Sequence, residues 1–158
     1  MSAVMIRQED PDQAEVRCFF VASEAYLGRL YPAESNHFID LGALRGNRAA
    51  FIVARIEGSA VGCGAVVFDQ GQDCEIKRMW VDPHWRGHGV GGKLLDGLLD
   101  RARRRGAGVV RLETGIHQPE ALQLYRRAGF ELCGPFSSYQ ADPLSVFMAL
   151  SLRQARPV

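Results

Sequence analysis

The stretch RGHGVGGKLLDGLL, residues 86–99, places four glycines within its first seven positions and then continues as an amphipathic segment. Glycines at the entrance of a helix let backbone N–H groups approach an anion closely, because no side chain stands in the way. The positive end of the helix dipole adds to that attraction. The stretch therefore predicts a helix entrance that binds an anion, and the surrounding sequence has to identify the anion.

One pattern in this stretch is the dinucleotide-binding fingerprint. Gly87, Gly89 and Gly92 match G-x-G-x-x-G, and Glu113 follows about twenty residues later, where a ribose-binding acid would lie. The context is unfavourable, because the residues DPHW separate the glycines from the strand that should lead directly into them. Only one clear strand–helix–strand unit follows. A dinucleotide-binding oxidoreductase stays open on this pattern alone.

A second pattern in the same stretch is R-x-x-G-x-G, formed by Arg86, Gly89 and Gly91. In this interpretation the loop N–H groups and the helix N-terminus hold a pyrophosphate. A Walker A phosphate loop is excluded, because Leu94 stands where Ser or Thr must bind magnesium. Additional positive charge around the pyrophosphate would come from Arg86, His88 and Lys93.

The hydrophobic periodicity predicts the element order β-α-α-β-β-β-α-β-α-β-β. This order indicates a mixed α/β sheet with helices on both faces, in a single domain over residues 1–158. A hairpin turn is expected at Glu57-Gly58, and a long loop over residues 134–145. The expected strands are 4–8, 51–56, 61–68, 74–81, 109–114, 130–133 and 146–152. The expected helices are 11–30, 38–45, the glycine segment to about 105, and 119–128.

Bulk composition limits the possible partners. The formal net charge of +1 gives no reason to expect a nucleic-acid or membrane partner, and the arginine run of residues 101–105 suits the C-terminal end of a helix dipole. No apolar run approaches the roughly 20 residues of a membrane span, and the N-terminus lacks a signal-peptide pattern.

The four cysteines form no CxxC pair and lack histidines at metal-ligand spacing. We therefore expect reduced, mostly buried cysteines, no metal and a cytoplasmic location.

Two longer blocks connect the glycine stretch to a known family. EIKRMWVDPHWRGHGVGGKLL (75–95) and LETGIHQPEALQLYRRAGF (112–130) resemble the GNAT family of acyl-CoA-dependent N-acyltransferases. The resemblance covers about residues 60–150, with every element in order. Within the family, YPAESNH, GCGA, EIKRM, QPEA and DPLSVFM are similar to a branch of bacterial acetyltransferases, some of which are linked to indole-3-acetic acid metabolism.

The resemblance implies the GNAT fold, with a splayed central sheet, and acetyl-CoA as the cofactor. The cofactor would occupy the opening where the fourth and fifth strands separate, and the unpaired strand edge at 79–81 would bind its pantetheine arm. Gln118 stands where the family often has asparagine. The cofactor-binding residues implied are Met79, Trp80, Val81, Arg86, Gly87, His88, Gly89, Val90, Gly91, Gly92, Lys93 and Gln118.

The resemblance also implies two catalytic side chains. Tyr125 matches the family's usual general acid, which protonates the departing thiolate. Glu75 matches a position where some members carry a general base, although a structural ion pair with Lys77 is an equally good interpretation. In a regular strand, Glu75 shares a face with Val81, six residues further on.

The acyl acceptor is expected among segments that the family folds over its acceptor. A small molecule with a primary amine and a carboxylate, such as an amino acid, would suit them, attacking acetyl-CoA directly in a ternary complex. A non-catalytic acyl-CoA sensor and a protein N-acetyltransferase are the alternatives, and a homodimer is left open. The acceptor residues expected are Tyr31, Asn36, His37, Lys77, Tyr139 and Ser145.

Overall fold

The computed structural model describes residues 2–70 and 73–153, which form a seven-stranded mixed sheet in the order β1-β2-β3-β4-β5-β7-β6. β4 and β5 run parallel, and every other neighbouring pair is antiparallel. The mixed sheet predicted from the sequence is confirmed. The strands are β1 (Met5–Gln8), β2 (Ala49–Ile56), β3 (Ser59–Phe68), β4 (Asp73–Val81), β5 (Val109–Gly115), β6 (Glu131–Cys133) and β7 (Ser145–Ser151). The helices are α1 (Ala14–Leu30), α2 (Val90–Arg104) and α3 (Pro119–Arg127).

The sheet is covered on both faces, and the side chains of β2 show how. Phe51 and Val53 point into a core that α1 covers, whereas Ile52 and Ala54 point into a core that α2 covers. A strand buried on both faces carries an almost continuous apolar run, which is what the sequence AAFIVARI provides. The helices therefore lie on both faces, as the element order predicted.

Residues of β4 and helix α2 approach β3 so closely that two positions of β3 have no room for a side chain. A Cβ at Gly62 would lie 2.8 Å from the Trp80 carbonyl oxygen and 3.0 Å from Leu94. A Cβ at Gly64 would lie 2.8 Å from the sulfur of Met79. The GCGA segment is thus explained by close packing. The apolar stripe of α2 consists of Val90, Leu94, Leu95, Leu98, Leu99 and Ala102.

The hairpin between β2 and β3 turns at the predicted residues. Ile56 pairs with Ser59, and the two residues between them adopt positive φ angles, 49° at Glu57 and 84° at Gly58. Positive φ at both positions is the geometry of a two-residue type I′ turn, whose twist matches that of the flanking strands.

The predicted helix over residues 38–45 is wrong. The segment forms only a single 3-10 turn, Leu41–Leu44, and the residues before it are extended. The carbonyl oxygen of Ile39, which a helix would pair with a backbone N–H, accepts two hydrogen bonds from the guanidinium of Arg78. Helix α1 also begins at Ala14, three residues after the predicted start.

The four cysteines are free thiols, although only two of them are buried. Burial raises the pKa of the Cys63 and Cys74 thiols to about 12, so both are uncharged at neutral pH. Cys18 is exposed and Cys133 is half-buried, so the expectation of mostly buried cysteines holds only in part. Within residues 2–70 and 73–153, no helix is both long and apolar enough to cross a membrane.

Candidate active site

A cavity of about 480 Å³ opens where β4 and β5 separate. Its volume falls in the usual range for small-molecule sites. Most of the residues predicted to bind cofactor or acceptor line it, together with residues of α1 and α3. The predicted residues that line it are Tyr31, Asn36, His37, Glu75, Lys77, Met79, Trp80, Val81, Arg86, Gly87, Gly89, Val90, Gly91, Gln118, Tyr125 and Tyr139. The remaining four, His88, Gly92, Lys93 and Ser145, lie outside the lining.

The opening exists because β4 and β5 pair over only three residues each. Asp73–Glu75 pair with Val109–Arg111, and no further pair forms between the described parts of the two strands. β4 then bulges at Arg78, which adopts a φ of 58°. The guanidinium of Arg78 is held by the Ile39 carbonyl and by Glu24, at 3.3 Å. The bulge adds one residue and turns the end of β4 away from β5.

The bulge overturns the prediction that Glu75 and Val81 share a face of β4. Cys74 and Ile76, the neighbours of Glu75, point into the core under α2, so Glu75 points to the α1 side. Beyond the bulge, Val81 points into the core under α2. The extra residue at Arg78 reverses the alternation, and the two side chains lie on opposite faces.

At one end of the cavity the N-terminus of α2 presents free backbone N–H groups. Gly89 is its N-cap residue, with a φ of 80°, and no side chain caps the helix. Gly87 also has a positive φ, 81°, and a Cβ at either glycine would meet nothing within 4 Å. The preceding turn is fixed by Asp82, whose carboxylate accepts the His84 N–H at 2.9 Å. Open space before an uncapped helix N-terminus suits a phosphate group.

Arg86 lies beside this end but is held by its neighbours. Its guanidinium stacks over the ring of Trp80, 4.7 Å from the centroid, and over that of Tyr26, at 5.5 Å. Its Nε donates to the Val81 carbonyl at 3.2 Å. The side chain thereby places a positive charge at the cavity wall. Of the predicted residues outside the lining, His88 packs edge-on against Trp85, and Lys93 is exposed on α2.

Tyr125 of α3 lines the cavity. Its side chain is buried and packs edge-on against Phe130, and its hydroxyl forms no hydrogen bond with any described residue. Burial raises the pKa of the Tyr125 hydroxyl above its usual value of 10, because the phenolate would lose its hydration. The hydroxyl therefore holds its proton at neutral pH and is available as a donor.

At the other end of the cavity, Tyr139 joins Glu75 to Lys77. The Tyr139 hydroxyl donates to Oε2 of Glu75 at 2.5 Å and accepts from Nζ of Lys77 at 2.5 Å. Nζ of Lys77 lies 3.4 Å from the same carboxylate oxygen and donates to the His37 carbonyl at 3.3 Å. Four residues predicted for base or acceptor roles thus form one hydrogen-bonded group.

The sequence interpretation missed a second carboxylate in the cavity, that of Glu113. It lies on β5, two residues beyond the last pair with β4, and on the same sheet face as Glu75. Burial raises its pKa from 4.5 to about 7, although a hydrogen bond from Ser145 at 2.9 Å opposes the shift. Glu113 was considered only as the ribose-binding acid of a dinucleotide site. Its alternation with Val110 and Leu112, which are buried under α2, was the signal that could have placed its carboxylate on the opposite face of β5.

Tyr31 forms part of the wall between the two ends. Its hydroxyl accepts the His117 N–H at 3.0 Å and donates to Oε1 of Gln118 at 3.3 Å. The ring fills the space above Gly115, where a Cβ would lie 1.9 Å from the Tyr31 oxygen. Tyr31, expected at the acceptor, and Gln118, expected at the cofactor, therefore contact each other.

Comparison with known proteins identifies the family. The model of the Acetyltransferase (GNAT) family matches residues 9–130, which is more than half of the chain. The chain belongs to the GNAT acetyltransferase family. It is therefore an acyltransferase, and the family's cofactor, acetyl-CoA, is the cofactor to which the cavity must be fitted. Membership also removes the dinucleotide-binding interpretation of the glycine stretch.

Relatives and solved structures agree with this GNAT assignment. The chain is 46% identical to an IAA acetyltransferase of Azospirillum brasilense over 94% of this chain and 97% of the relative. It is 36% identical to the uncharacterized N-acetyltransferase YsnE of Bacillus subtilis, over 77% and 82% of the two chains. A crystal structure of a Klebsiella pneumoniae protein assigned to the acyl-CoA N-acyltransferases superimposes with a TM-score of 0.81. Its identity is 36%, over 95% of this chain and 98% of that one.

The residues of this GNAT protein fit acetyl-CoA. The open, uncapped helix N-terminus beside Gly87 and Gly89 suits the pyrophosphate, and the unpaired stretch of β4 suits the amide-bearing pantetheine arm. Arg86 supplies positive charge at the same end. Acetyl-CoA contributes an acetyl group activated as a thioester.

Replacing Gly89 by alanine is expected to weaken acetyl-CoA binding by about tenfold or more, because the methyl group would occupy the open space before the helix. The matched control is Gly106→Ala. Gly106 also has a positive φ, 82°, and free space for a Cβ, but it lies beyond the other end of α2. Both variants should lose similar stability, since alanine is strained at positive φ, and only Gly89→Ala should lose affinity in calorimetry. Equal affinities for the two variants would show that the glycine only shapes the helix entrance.

Proposed function

We propose that this protein transfers the acetyl group of acetyl-CoA to a primary amine of a small molecule by direct attack in a ternary complex. The observation that carries the proposal is that one cavity holds a half-buried carboxylate, Glu113, a proton-bearing hydroxyl, Tyr125, and an uncapped helix N-terminus. The three features supply a base, an acid and a phosphate site. These are what acetyl transfer to an amine requires.

The reaction needs two proton transfers, and we assign one to each of the two side chains. Forming the amide N–C bond and breaking the C–S bond leaves the amine with a proton to lose and the thiolate with a proton to gain. Glu113, with a pKa near 7, accepts the amine proton, directly or through a water. Tyr125, whose pKa is raised by burial, gives its proton to the sulfur and regains one from solvent.

Glu75 was the base expected from the family resemblance, and it stays a candidate. Its Oε2 already accepts from Tyr139 and lies beside the ammonium of Lys77. Glu113 has only the hydroxyl of Ser145 as a hydrogen-bond partner among the described residues. We therefore assign proton removal to Glu113 and assign Glu75 the positioning of Tyr139 and Lys77. Variants of both carboxylates, described in the Discussion, separate the two assignments.

A small acceptor is favoured over a protein substrate because two loops cover the acceptor end. We call residues 31–44 and 134–144 the cover loops. The Ser35 hydroxyl donates to the Asp142 carboxylate at 2.6 Å and joins the two loops to each other. Lys77 and Tyr139 hold them to the sheet. A polypeptide that crossed the site would have to displace these loops, whereas a small amine would not.

The acceptor suggested by the name of the Azospirillum relative, IAA, fits this cavity poorly. If IAA denotes indole-3-acetic acid, its ring nitrogen is a poor nucleophile, because the lone pair belongs to the aromatic system. Its carboxylate would also enter a region that already holds Glu75 and Glu113. We therefore propose an amine acceptor for this chain. The cytoplasmic location and the homodimer stay predictions.

Incubation with acetyl-CoA and a broad panel of amines tests the proposal against the non-catalytic sensor. We expect released thiol in a one-to-one ratio with acetylated amine, identified by mass spectrometry. Heat-treated protein and acetyl-CoA without an acceptor are the controls. Tight acetyl-CoA binding without turnover on any amine of the panel would favour the sensor and overturn the proposed function.

A further inference from the structure

The two long-chain cations that line the acceptor end within the described residues, Lys77 and Arg78, are both paired with carboxylates. The ammonium of Lys77 donates to the His37 carbonyl and to the Tyr139 hydroxyl. Its charge is balanced by the Glu75 carboxylate, whose Oε2 lies 3.4 Å from Nζ. A substrate carboxylate that paired with Lys77 would therefore lie close to the negative charge of Glu75.

The second cation in this region, Arg78, is equally engaged. Its guanidinium donates twice to the Ile39 carbonyl and once to Glu24, and it lies between the rings of Phe20 and Phe38, 4.2 and 5.0 Å from their centroids. Only 8% of its side chain is exposed. Arg78 therefore serves to hold the first cover loop and the bulge of β4.

Glu113 is a carboxylate of the acceptor end that forms no salt bridge with a described residue, and the ammonium of Lys77 acts on it only at longer range. No salt bridge to Glu113 is found among residues 2–70 and 73–153, and the hydroxyl of Ser145 is its one hydrogen-bond donor there. The cover loops add to this imbalance. They contain Glu34, Asp40 and Asp142, and they contain no lysine and no arginine.

The cavity is therefore electrically polarised along its length. Arg86 and the N-terminus of α2 make the cofactor end positive. At the acceptor end the carboxylates of Glu75 and Glu113 line the cavity, Lys77 balances one of them, and the acids of the cover loops lie at the surface around it. Such a field draws a cation toward the mouth and opposes an anion, and an unpaired charge buried beside a like charge is strongly disfavoured.

We propose that the acceptor is a small cationic amine with no carboxylate beside its reacting nitrogen, the class formed by diamines and decarboxylated amino acids. This inference rests on the proposed function and deepens it. It replaces the sequence expectation of an amino-acid acceptor, because the carboxylate of an amino acid would lie near Glu113 without a free cation. An amine of the proposed class places its charge against Glu113 and then gives up its proton to the same group.

The test compares acceptors that differ by a single carboxylate: agmatine with arginine, cadaverine with lysine, and tyramine with tyrosine. We expect kcat/KM to be about 10- to 100-fold higher for the decarboxylated member of each pair. Equal or better use of the amino acids would overturn the inference and leave the proposed function standing. Failure of all six to react, with acetyl-CoA bound, would overturn the inference, while the broad amine panel decides the proposed function separately.

Two variants test whether the charge of Glu113 causes the preference for amines without a carboxylate. In Glu113→Gln the rates fall for all acceptors, but the ratio within each pair should fall toward one, because the like charge that repels the carboxylate has gone. Asp100→Asn removes the same charge from the exposed surface of α2, where it pairs with Arg104, and should keep the ratio. An unchanged ratio in Glu113→Gln would overturn the assignment of the preference to Glu113.

Discussion

Replacing Tyr125 by phenylalanine is expected to lower kcat by about 10²–10⁴-fold and to leave acetyl-CoA affinity almost unchanged. The substitution keeps the ring, which packs against Phe130, and deletes the proton donor. The hydroxyl forms no hydrogen bond with a described residue, so the melting temperature should change little. Steady-state rates at saturating acetyl-CoA, calorimetric affinity and thermal unfolding measure the three quantities.

Tyr26→Phe is the matched control for Tyr125→Phe, because Tyr26 also lines the cavity and its ring packs against Trp80. The control removes the same group from the same cavity and should stay within about twofold of the wild-type rate. A near-normal kcat for Tyr125→Phe would transfer the acid role to water or to another side chain. A loss of affinity equal to the loss of rate would mean that the hydroxyl binds the cofactor instead.

Replacing Glu113 by glutamine is expected to lower kcat by about 10²–10⁴-fold at neutral pH, with partial recovery as the pH rises and more free amine is present. Glutamine keeps the shape and can still accept the hydrogen bond from Ser145, but it cannot take a proton. Glu75→Gln is the comparison, since it alters another carboxylate of the cavity, on the same sheet face. If Glu75 is the base, the larger loss and the altered pH dependence will appear in that variant.

The same substitution is expected to stabilise the protein above neutral pH. Burial raises the pKa of Glu113 from 4.5 to about 7, so between these values the unfolded chain loses the proton before the native chain does. Native stability therefore falls across this window, and the full cost is present above pH 7. Allowing for solvent screening of a half-buried side chain, Glu113→Gln should be about 1–2 kcal/mol more stable than wild type at pH 8. The difference should vanish near pH 4, and a difference that is constant with pH would contradict the raised pKa.

The sequence predicted the parts of the fold that depend on local patterns. The glycines of residues 86–92 and the apolar stripe after them located α2 correctly, and Glu57-Gly58 located the hairpin turn. Residues 38–45 were also expected to form a helix. They form only the 3-10 turn Leu41–Leu44, and the guanidinium of Arg78, far away in sequence, takes the Ile39 carbonyl as its hydrogen-bond acceptor. A tertiary contact of this kind leaves no mark on periodicity.

The sequence predicted most of the residues of the candidate site, but it predicted their arrangement less well. Family motifs named most of the residues that line the cavity. The bulge at Arg78 inserts one residue into β4, and alternation carries no signal for such an insertion, so Val81 was assigned to the wrong face. The sequence alone shows only that Glu113 is a carboxylate in a predicted strand. Its burial and its lack of a cationic partner appear only when β5, β7 and the cover loops come together.

The pH dependence of kcat at saturating acetyl-CoA and amine is the most direct test of Glu113 as the base. With Glu113 deprotonated as the active form and Tyr125 protonated, the rate should rise through about pH 7 and hold a plateau up to pH 9 or so. The inflection near pH 7 should be absent from Glu113→Gln, whose slower rate should instead increase only with the fraction of free amine, and it should be retained in Glu75→Gln. A wild-type profile that is flat from about pH 5.5 to 9, or a rise that Glu113→Gln retains unchanged, would contradict the assignment of proton removal to Glu113.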